Sequence, residues 1–236
     1  MRIPILFYHK IAQPSPKAKI RGLYVTPKSF YYQMRYLKWR GYTTVTLLDI
    51  LQALNQEKVL PPRSIALTFD DGYENNYTYT FPILKKFSFT ATIFIVTRDI
   101  GEFPDWPDSE ERIKEPLLSW EQIKEMHDYG ISIQSHTHTH ASLTKLQNEA
   151  VREELLISKR IIEKELKTKV DFLCYPKGYF NSGVMAIAKE TGYRGAVTTK
   201  RGVVKEGDNP YNLKRIGIKR KHTLLSFIRY IGYKYR

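Results

Sequence analysis

Residues 64–72 read SIALTFDDG, a β-rich apolar run that ends directly at two adjacent carboxylates. An apolar run of this length predicts a strand that is covered on both faces, as in a parallel sheet. Asp70 and Asp71 would then follow the C-terminal end of that strand, where α/β proteins place catalytic groups. Gly72 permits the sharp turn that brings both side chains to this edge. Taken alone, the pair is equally typical of a turn followed by a helix cap.

On both sides of this run, short apolar stretches alternate with amphipathic ones. Predicted strands cover residues 3–8, 43–46, 64–69, 90–96, 131–134, 170–174, 195–199 and 213–218. Predicted helices cover residues 27–41, 48–56, 75–87, 119–130, 147–166 and 182–190, and a last one starts near residue 223. Residues 99–118, which contain three prolines, predict an excursion rather than core. Seven or eight β/α units without a linker predict one α/β domain over residues 1–236, either a parallel barrel or an open sheet.

The composition is globular, but its charge is uneven. Lys and Arg number 38 against 24 Asp and Glu, which gives a net charge of +14. The surplus lies at the ends: residues 1–40 hold nine basic and no acidic side chains, and residues 200–236 hold eleven basic and two acidic ones. Such a surplus suits nucleic acid, an anionic membrane or an acidic polymer, or serves solubility alone. Because no motif of a nucleic-acid reader is present, we expect no nucleic-acid partner.

The single cysteine and the apolar runs exclude several other classes. Cys174 is the only cysteine, so the chain has no intrachain disulfide and no cysteine-only zinc site. No apolar run approaches the roughly 20 residues of a transmembrane helix. The opening MRIPILFYHK reaches a histidine before a signal-peptide core of about 7–15 residues could form, so we expect no secretion signal in this chain.

A histidine cluster follows the predicted strand 131–134. Residues 135–140 read SHTHTH and hold three of the six histidines of the chain. His136, His138 and His140 would share a face of an extended segment, whereas His136 and His140 alone would align on a helical turn. Imidazole is a usual ligand of zinc and similar metals, although the pattern does not decide which two or three would bind. A polar loop with incidental histidines is the simpler alternative.

The carboxylates and the histidines together predict a catalytic metal site. One Asp and two His would give three protein ligands and leave an open position, which is typical of catalytic rather than structural metals. A metal there would lower the pKa of a water molecule to about 7 and polarise a carbonyl group. The second Asp would be free to act as a base. The implied reaction class is metal-assisted hydrolysis.

These motifs resemble those of polysaccharide deacetylases with a NodB-homology domain, carbohydrate esterase family four. The resemblance rests on residues 68–72 (TFDDG) and 136–140 (HTHTH), supported by residues 118–120 (LSW) and 172–178 (FLCYPKG). Residues 5–9 (ILFYH) resemble a branch that includes poly-N-acetylglucosamine deacetylases. The resemblance spans residues 3 to about 200. It implies an irregular (β/α)7 TIM-like barrel that removes acetyl groups from N-acetylated or O-acetylated sugars of a polysaccharide or oligosaccharide.

The resemblance also implies a role for each matching residue. Asp70 would be the general base, and the backbone N–H of Lys177 would stabilise the oxyanion. The metal ligands would be Asp71, His136 and His140. We expect Zn²⁺ as the cofactor, although Co²⁺, Ni²⁺ or Fe²⁺ would accept the same ligands.

Two positions depart from the pattern of the family. Most members carry an Arg at the position of Cys174 that orients the base, so here that support is missing or comes from elsewhere. Most members also carry a late Leu-x-x-His motif that supplies the general acid, and no clean match exists. In the branch with the Tyr-His opening the acid lies at the N-terminus, which favours His9; His222 is the alternative. His138 would be a supporting or bystander residue.

Substrate and partners are less constrained. Tyr73, Trp106, Trp120, Tyr175 and Tyr179 lie near the motifs and could stack on sugars, although core packing explains aromatic residues as often. The excursion 99–118 could form one wall of the groove. We expect a monomer with an acetylated glycan substrate, held by its basic charge near an anionic cell surface. A cell-envelope or extracellular location follows from that substrate, while the cytoplasm stays open.

Two other functions are compatible with the same residues. A phosphoesterase could use the Asp and His cluster on a phosphate, and the basic surplus mildly favours it. A non-catalytic sugar- or nucleic-acid-binding relative is also conceivable, but four intact site residues argue against it. Acetate release and metal-dependent esterase activity would separate these readings.

Overall fold

A computed structural model of the chain describes residues 1–106 and 115–232. Within these residues the strands are β1 (Arg2–Ile3), β2 (Ile5–Tyr8), β3 (Lys10–Ile11), β4 (Tyr24–Val25), β5 (Thr43–Thr44), β6 (Ser64–Phe69), β7 (Thr92–Ile95), β8 (Ser132–Ser135), β9 (Phe172–Cys174), β10 (Gly195–Arg201), β11 (Val204–Lys205) and β12 (Leu213–Gly217). The α-helices are α1 (Pro27–Trp39), α2 (Leu47–Leu54), α3 (Phe81–Phe87), α4 (Trp120–Tyr129), α5 (Asn148–Leu166), α6 (Ser182–Glu190) and α7 (Leu224–Gly232). Each predicted helix and strand is present, with its ends shifted by a few residues.

Seven parallel strands close into a barrel. Their order around the ring is β2-β12-β10-β9-β8-β7-β6, and β6 pairs again with β2. That closing pair is in continuous register from Ile5↔Ala66 to Tyr8↔Phe69. The pairing of β10 with β12 shifts register between Val197 and Arg201, which makes the ring irregular. The structure therefore confirms the (β/α)7 barrel and excludes the open sheet.

The strands are apolar because both of their faces are covered. Alternate side chains, among them Ile5, Ala66, Phe94, Phe172 and Val197, belong to one buried cluster on the barrel's inner side. The remaining strand side chains join a larger cluster with the surrounding helices. Continuous burial on two faces removes the polar–apolar alternation of a half-exposed strand, which explains runs such as SIALTF.

The helix ends follow the predicted signals. Thr26 accepts a hydrogen bond from Ser29 N and precedes Pro27 at the start of α1. Ser119 and Gln122 form the capping box of α4, which ends at Gly130 with φ 109°. The predicted helix 75–87 begins with the π-helical residues Asn76–Thr80, and α3 restarts beside Pro82. Proline lacks an N–H, so it is tolerated in this first turn.

Three details differ from the predictions. The strand 3–8 is interrupted at Pro4, and β1 pairs antiparallel with β11 outside the barrel. The predicted strand 43–46 is only β5, which pairs with β6 beside the ring rather than within it. The excursion 99–118 leaves and returns through paired ends, where Leu117 N donates to Glu102 O. Its residues 107–114 lie outside the described residues. In the part of the chain that the structure covers, no helix has the length and apolar character of a membrane span.

Candidate active site

The first aspartate after β6 lies buried against a buried arginine. Arg215 Nη1 donates to Asp70 Oδ1 and Arg215 Nη2 donates to Asp70 Oδ2, each over 2.7 Å. A bidentate pair of this kind fixes the orientation of the carboxylate as well as its charge. Burial alone would raise the pKa of Asp70, but the Arg215 guanidinium outweighs it and holds that pKa below its ordinary value. Asp70 is therefore ionised at neutral pH.

Arg215 is in turn held in place by hydrogen bonds and by an aromatic contact inside the barrel. Its Nη1 donates to Thr68 Oγ1 over 3.0 Å, and its Nε donates to the Thr198 carbonyl over 2.9 Å. Its Nη2 lies 3.3 Å from Cys174 Sγ. The guanidinium carbon stands 4.4 Å from the centre of the Phe7 ring. Thus the side chain is fully buried, with every N–H group near a partner or an aromatic face.

Arg215 provides the cation beside Asp70 that most family members have at the position of Cys174, although no sequence motif marks Arg215. In β12, Leu213 and Arg215 share a face because side chains alternate along a strand. Leu213 belongs to the inner cluster, so Arg215 also points into the barrel. The alternation of side chains along β12 could have placed Arg215 inside the barrel from the sequence. The basic residues near the C-terminus, Lys214 and Arg215 among them, instead suggested a basic surface. Cys174 is a buried free thiol, and burial raises its pKa.

The second aspartate faces two histidines. Asp71 Oδ1 lies 3.2 Å from His136 Nε2 and 3.6 Å from His140 Nε2. Asp71 and His140 adopt left-handed backbone conformations, with φ of 77° and 60°. Such conformations are uncommon for residues other than glycine and cluster at functional sites. They turn the three side chains towards one point after β6 and β8.

Hydrogen bonds fix the loop that carries the histidines. His136 Nδ1–H donates to the Cys174 carbonyl over 2.8 Å, which orients the ring so that Nε2 faces Asp71. The Glu154 carboxylate accepts from the backbone N–H groups of His138 and Thr139, over 3.0 and 2.9 Å. The His138 ring is hydrogen-bonded to Thr97 instead of Asp71. His138 therefore lies outside the cluster, as expected of a bystander.

The three residues of this cluster fit a divalent transition metal. One ligand atom from each of Asp71, His136 and His140 lies within 4.8 Å of the others, and all three residues are buried. A carboxylate oxygen with two imidazole nitrogens is a donor set that zinc accepts, with room for a further ligand. The bond from His136 Nδ1 to a carbonyl is also typical of metal-binding histidines, because it fixes the ring and its tautomer. Burial lowers the pKa of His140 to about 3, so this imidazole is neutral and able to bind a cation.

These groups open into one cavity of about 700 Å³ at the carboxyl end of the barrel strands. Its walls include most of the predicted site residues: His9, Asp70, Asp71, Tyr73, Trp106, His136, His140, Tyr175, Lys177 and Tyr179. The cavity therefore joins an oriented carboxylate and a metal-type cluster in one accessible space.

Comparisons with known proteins agree with this geometry. The sequence model of the family described as polysaccharide deacetylase matches residues 57–196. The chain belongs to the polysaccharide deacetylase family. A putative polysaccharide deacetylase of Bacillus subtilis, YxkH, is 33% identical over 217 residues, covering 92% of this chain and 71% of the relative. The poly-β-1,6-N-acetyl-D-glucosamine N-deacetylase of Staphylococcus aureus is 27% identical over 211 residues, covering 86% and 70%.

Solved structures share the fold of this deacetylase over nearly its whole length. The Streptococcus pyogenes deacetylase PplD, solved in complex with acetate, matches with a TM-score of 0.87 and 28% identity, covering 98% of this chain and 99% of its own. A putative polysaccharide deacetylase of Bacillus anthracis matches with a TM-score of 0.83 and 34% identity, covering 98% and 69%. The chain is therefore a hydrolase of the deacetylase class, as predicted from the motifs.

The deacetylase brings His9, rather than His222, to the carboxylates. Asp70 N donates to the Tyr8 carbonyl over 2.9 Å, so the residue after β2 stands beside the end of β6. His9 lines the cavity that holds both aspartates. His222 lines a neighbouring cavity, where its Nδ1 accepts from Lys219 N over 3.0 Å. Of these two histidines, His9 lines the cavity of the aspartates and His222 does not.

Lys177 sits in a strained turn at the edge of the cavity. Its φ is 58°, and Gly178 follows with φ 76° in the turn Pro176–Gly178. A Cβ on Gly178 would lie 2.0 Å from Thr199 Oγ1, so no other residue fits there without displacing the turn. Lys177 thus reaches the cavity in a backbone conformation that its neighbour makes possible.

The candidate sugar-stacking residues separate into three groups. Tyr73, Trp106 and Tyr179 line the cavity, and Tyr179 is exposed at its rim. Tyr175 also lines it and is buried, as Tyr73 is, but its hydroxyl donates to the Tyr211 carbonyl over 3.1 Å. Trp120, the first residue of α4, packs against the outer core and is absent from the cavity lining among the described residues. The lining by Trp106 agrees with the expectation that residues 99–118 form a wall.

Proposed function

We propose that this deacetylase hydrolyses N-acetyl groups on N-acetylglucosamine residues of a polysaccharide or oligosaccharide, with a divalent metal, zinc in the first instance, as cofactor. One observation carries the proposal: an arginine-oriented carboxylate and an Asp-His-His cluster share a cavity. The activity named for the S. aureus relative supports the N-acetylglucosamine substrate. The acetate bound to PplD supports the product, because acetate is what deacetylation releases.

The cation would be held by Asp71, His136 and His140. Its contribution is Lewis-acid chemistry, which lowers the pKa of a water molecule to about 7 and polarises a carbonyl group.

Asp70 would act as the general base. Its carboxylate is ionised, and each oxygen that accepts one bond from Arg215 keeps a second lone pair for a proton. The fixed orientation would hold that lone pair towards the water that attacks the acetyl carbon. Arg215 would therefore be a positioning residue for the base.

His9 and Lys177 would act on the other side of the reaction. As an imidazolium, His9 would protonate the leaving amine, which is a poor leaving group unless it takes a proton. The Lys177 N–H would donate to the oxyanion that develops from the acetyl carbonyl. Tyr73, Trp106 and Tyr179 would contact the sugar, with weaker arguments for Tyr175 and Trp120.

Location and assembly follow from the proposed substrate. We propose that the enzyme acts as a monomeric single domain on a glycan of the cell envelope or the extracellular matrix. Its basic charge would hold it near an anionic cell surface. Retention on anionic wall polymers should then fall as salt rises, because salt screens exposed charges. Retention that is independent of salt would contradict this placement.

An acetate-release assay tests the function directly. Chelated enzyme would be reloaded with Zn²⁺, Co²⁺ or Ni²⁺ and supplied with chitin oligomers, β-1,6-linked N-acetylglucosamine oligomers, acetylxylan and peptidoglycan. We expect metal-dependent acetate release from an N-acetylglucosamine oligomer. Absence of release from all four substrates with every metal would refute the proposal, and phosphate release from phosphate esters would favour a phosphoesterase.

The two aspartates can be separated by one pair of variants. Asp70→Asn should keep its metal but lose a factor of about 10²–10⁴ in kcat, which is the usual contribution of a general base. Asp128→Asn, on the exposed side of α4, is the matched control and should behave as the wild type. Metal loss in Asp70→Asn with residual turnover would reverse the roles of Asp70 and Asp71.

A further inference from the structure

A second cavity adjoins the catalytic one. It has a volume of about 540 Å³, and His9, Leu23 and Thr199 line both cavities. One wall is formed by the end of β12 and the residues after it, among them Ile218, Lys219, Lys221 and His222, and this segment contacts the N-terminal segment where Arg220 N donates to the Gly22 carbonyl. If the acetylated sugar of a glycan chain lies beside Asp70 and His9, the adjacent unit of the chain would therefore reach the second cavity.

The second cavity is lined by several cationic side chains. Arg201, Lys219 and Lys221 line it together with His222, and none of these side chains forms an ion pair with a carboxylate of the described residues. The acidic residues in this part of the sequence are Glu206 and Asp208. Glu206 lies 4.0 Å from the N-terminal amine, and Asp208 lies 3.7 Å from Lys214. Among the described residues, no carboxylate therefore pairs with the cations that line this cavity.

Two segments of the fold bring Arg201, Lys219 and Lys221 to this cavity. Arg201 follows the register shift between β10 and β12, and a shift of this kind redirects the side chains beyond it. Its guanidinium lies 4.4 Å from the centre of the Tyr230 ring, which holds it in place. Lys219 and Lys221 reach the same space from the opposite wall. Burial and the charges of Lys221, Lys219 and Arg201 lower the pKa of His222, as expected where positive potential converges.

We infer that this second cavity binds an anionic group, a phosphate diester or a carboxylate, carried by the glycan next to the sugar that is deacetylated. The inference rests on the proposed function and narrows it, because the preferred substrate becomes an anionic glycan instead of a neutral homopolymer. Arginine and lysine are the side chains suited to such oxygens, arginine as a two-pronged donor and lysine as a point charge. Solvated basic surfaces are common, but a concave one that continues a catalytic cavity is selective by position.

Matched oligosaccharides and matched variants test the inference. One N-acetylglucosamine oligomer would be compared in three forms: neutral, with a terminal methyl phosphodiester, and with a terminal carboxylate. The site variant is Arg201→Gln/Lys219→Gln/Lys221→Gln. The control variant, Arg160→Gln/Lys164→Gln/Lys189→Gln, removes the same charge from the exposed sides of α5 and α6. Binding by titration calorimetry and acetate release would both be measured, at low and high salt.

We expect the wild type to favour an anionic oligomer over the neutral one, mainly through KM. In the site variant this preference should fall about tenfold, since each exposed charge contact contributes a factor of roughly 1.5–5. The control variant should keep the preference. The form that responds more strongly identifies phosphate diester or carboxylate as the natural group.

Other outcomes would overturn the inference while leaving the deacetylase intact. Equal binding and kcat/KM for neutral and anionic oligomers would show that the cavity takes no anion. Loss of retention on anionic lipid vesicles by the site variant, with unchanged oligosaccharide preference, would assign the cavity to a membrane surface. If no oligomer released acetate, the proposed function would fail, whereas calorimetric binding of the anionic oligomer that the site variant loses would still support the anion site.

Discussion

The buried pair of Asp70 and Arg215 allows a quantitative prediction. Changing Arg215→Met leaves an ionised carboxylate buried without its cation, and Asp70→Asn leaves a buried guanidinium without its anion. The two charge-assisted bonds of 2.7 Å contribute about 1.5–3 kcal/mol each. That sum agrees with the roughly 3–5 kcal/mol that is usual for removing one partner of a buried pair. We therefore expect each single variant to lower the free energy of unfolding by about 3–5 kcal/mol.

The double variant should be far less destabilised than the sum of the two single ones. With both charges gone, no uncompensated ion remains, and removal of a whole buried pair is often close to neutral. Arg215→Met and the double variant both lose the bonds from Arg215 to Thr68 and to the Thr198 carbonyl. The free energy of these bonds therefore cancels when the coupling is calculated. Because the two single losses sum to about 6–10 kcal/mol, a coupling free energy of at least about 3–5 kcal/mol should remain even if the double variant loses as much as one single variant.

Urea unfolding followed by circular dichroism measures this cycle, with all four proteins held in the same chelator so that metal binding does not contribute. If Arg215→Met fails to fold, Arg215→Lys replaces it, since lysine keeps the charge but loses the fork and should give an intermediate loss. Additive single and double variants, within about 0.5 kcal/mol, would refute the pair as the element that stabilises the base. A coupled cycle with unchanged kcat in Arg215→Lys would refute its positioning role alone.

Three further predictions concern the groups around this pair. His9→Ala should lower amide hydrolysis by about 10²–10³ but hydrolysis of an activated aryl acetate far less, because that leaving group needs no proton; His127→Ala is the control, and equal losses on both substrates would exclude His9 as the acid. Asp71→Ala should lose most of its bound zinc by elemental analysis, because two imidazoles alone rarely hold the metal, and full zinc content would contradict the ligand assignment. Gly178→Ala should lower stability by about 1–3 kcal/mol and lower kcat, since its Cβ would lie 2.0 Å from Thr199 Oγ1; Thr199→Gly in the same protein should recover part of the loss, and an unchanged kcat would detach this turn from the oxyanion.

The barrel and the site could be predicted unequally well from the sequence, for physical reasons. Strands buried on two faces are short and apolar, so runs such as SIALTF are visible without any tertiary information. Residues that directly follow such strands meet at one end of a parallel barrel, which is why Asp70, Asp71, His136 and His140 could be placed together before the structure. Closure could not be read from the residues alone, because it depends on the long-range pairings of β2 with both β12 and β6. The family resemblance, rather than residue patterns, chose the barrel over the open sheet.

Aromatic residues near a motif were the weakest predictions. Trp120 follows the cap Ser119 by one position, and its ring packs against the outer core. Trp106 belongs to the excursion 99–118 rather than to a motif, yet its ring lies 4.3 Å from that of His140. Proximity to a motif along the chain therefore does not determine where a ring lies. Trp120 begins a helix and packs against the outer core, whereas Trp106 lines the cavity.

The exchange between Cys174 and Arg215 shows why a missing motif residue is weak evidence of a missing function. Inside the barrel, Thr68 of β6, Cys174 of β9 and the Thr198 carbonyl of β10 all contact Arg215 of β12 beside Asp70, so a cation on β9 would occupy the same space. On the proposed mechanism, the base Asp70 needs a buried positive charge beside it. Because Arg215 already fills that space, the facing position on β9 must be small, and the 3.3 Å contact of the Cys174 sulfur with Arg215 is consistent with this. In this barrel the cation beside Asp70 therefore comes from β12, although the family pattern places it on β9.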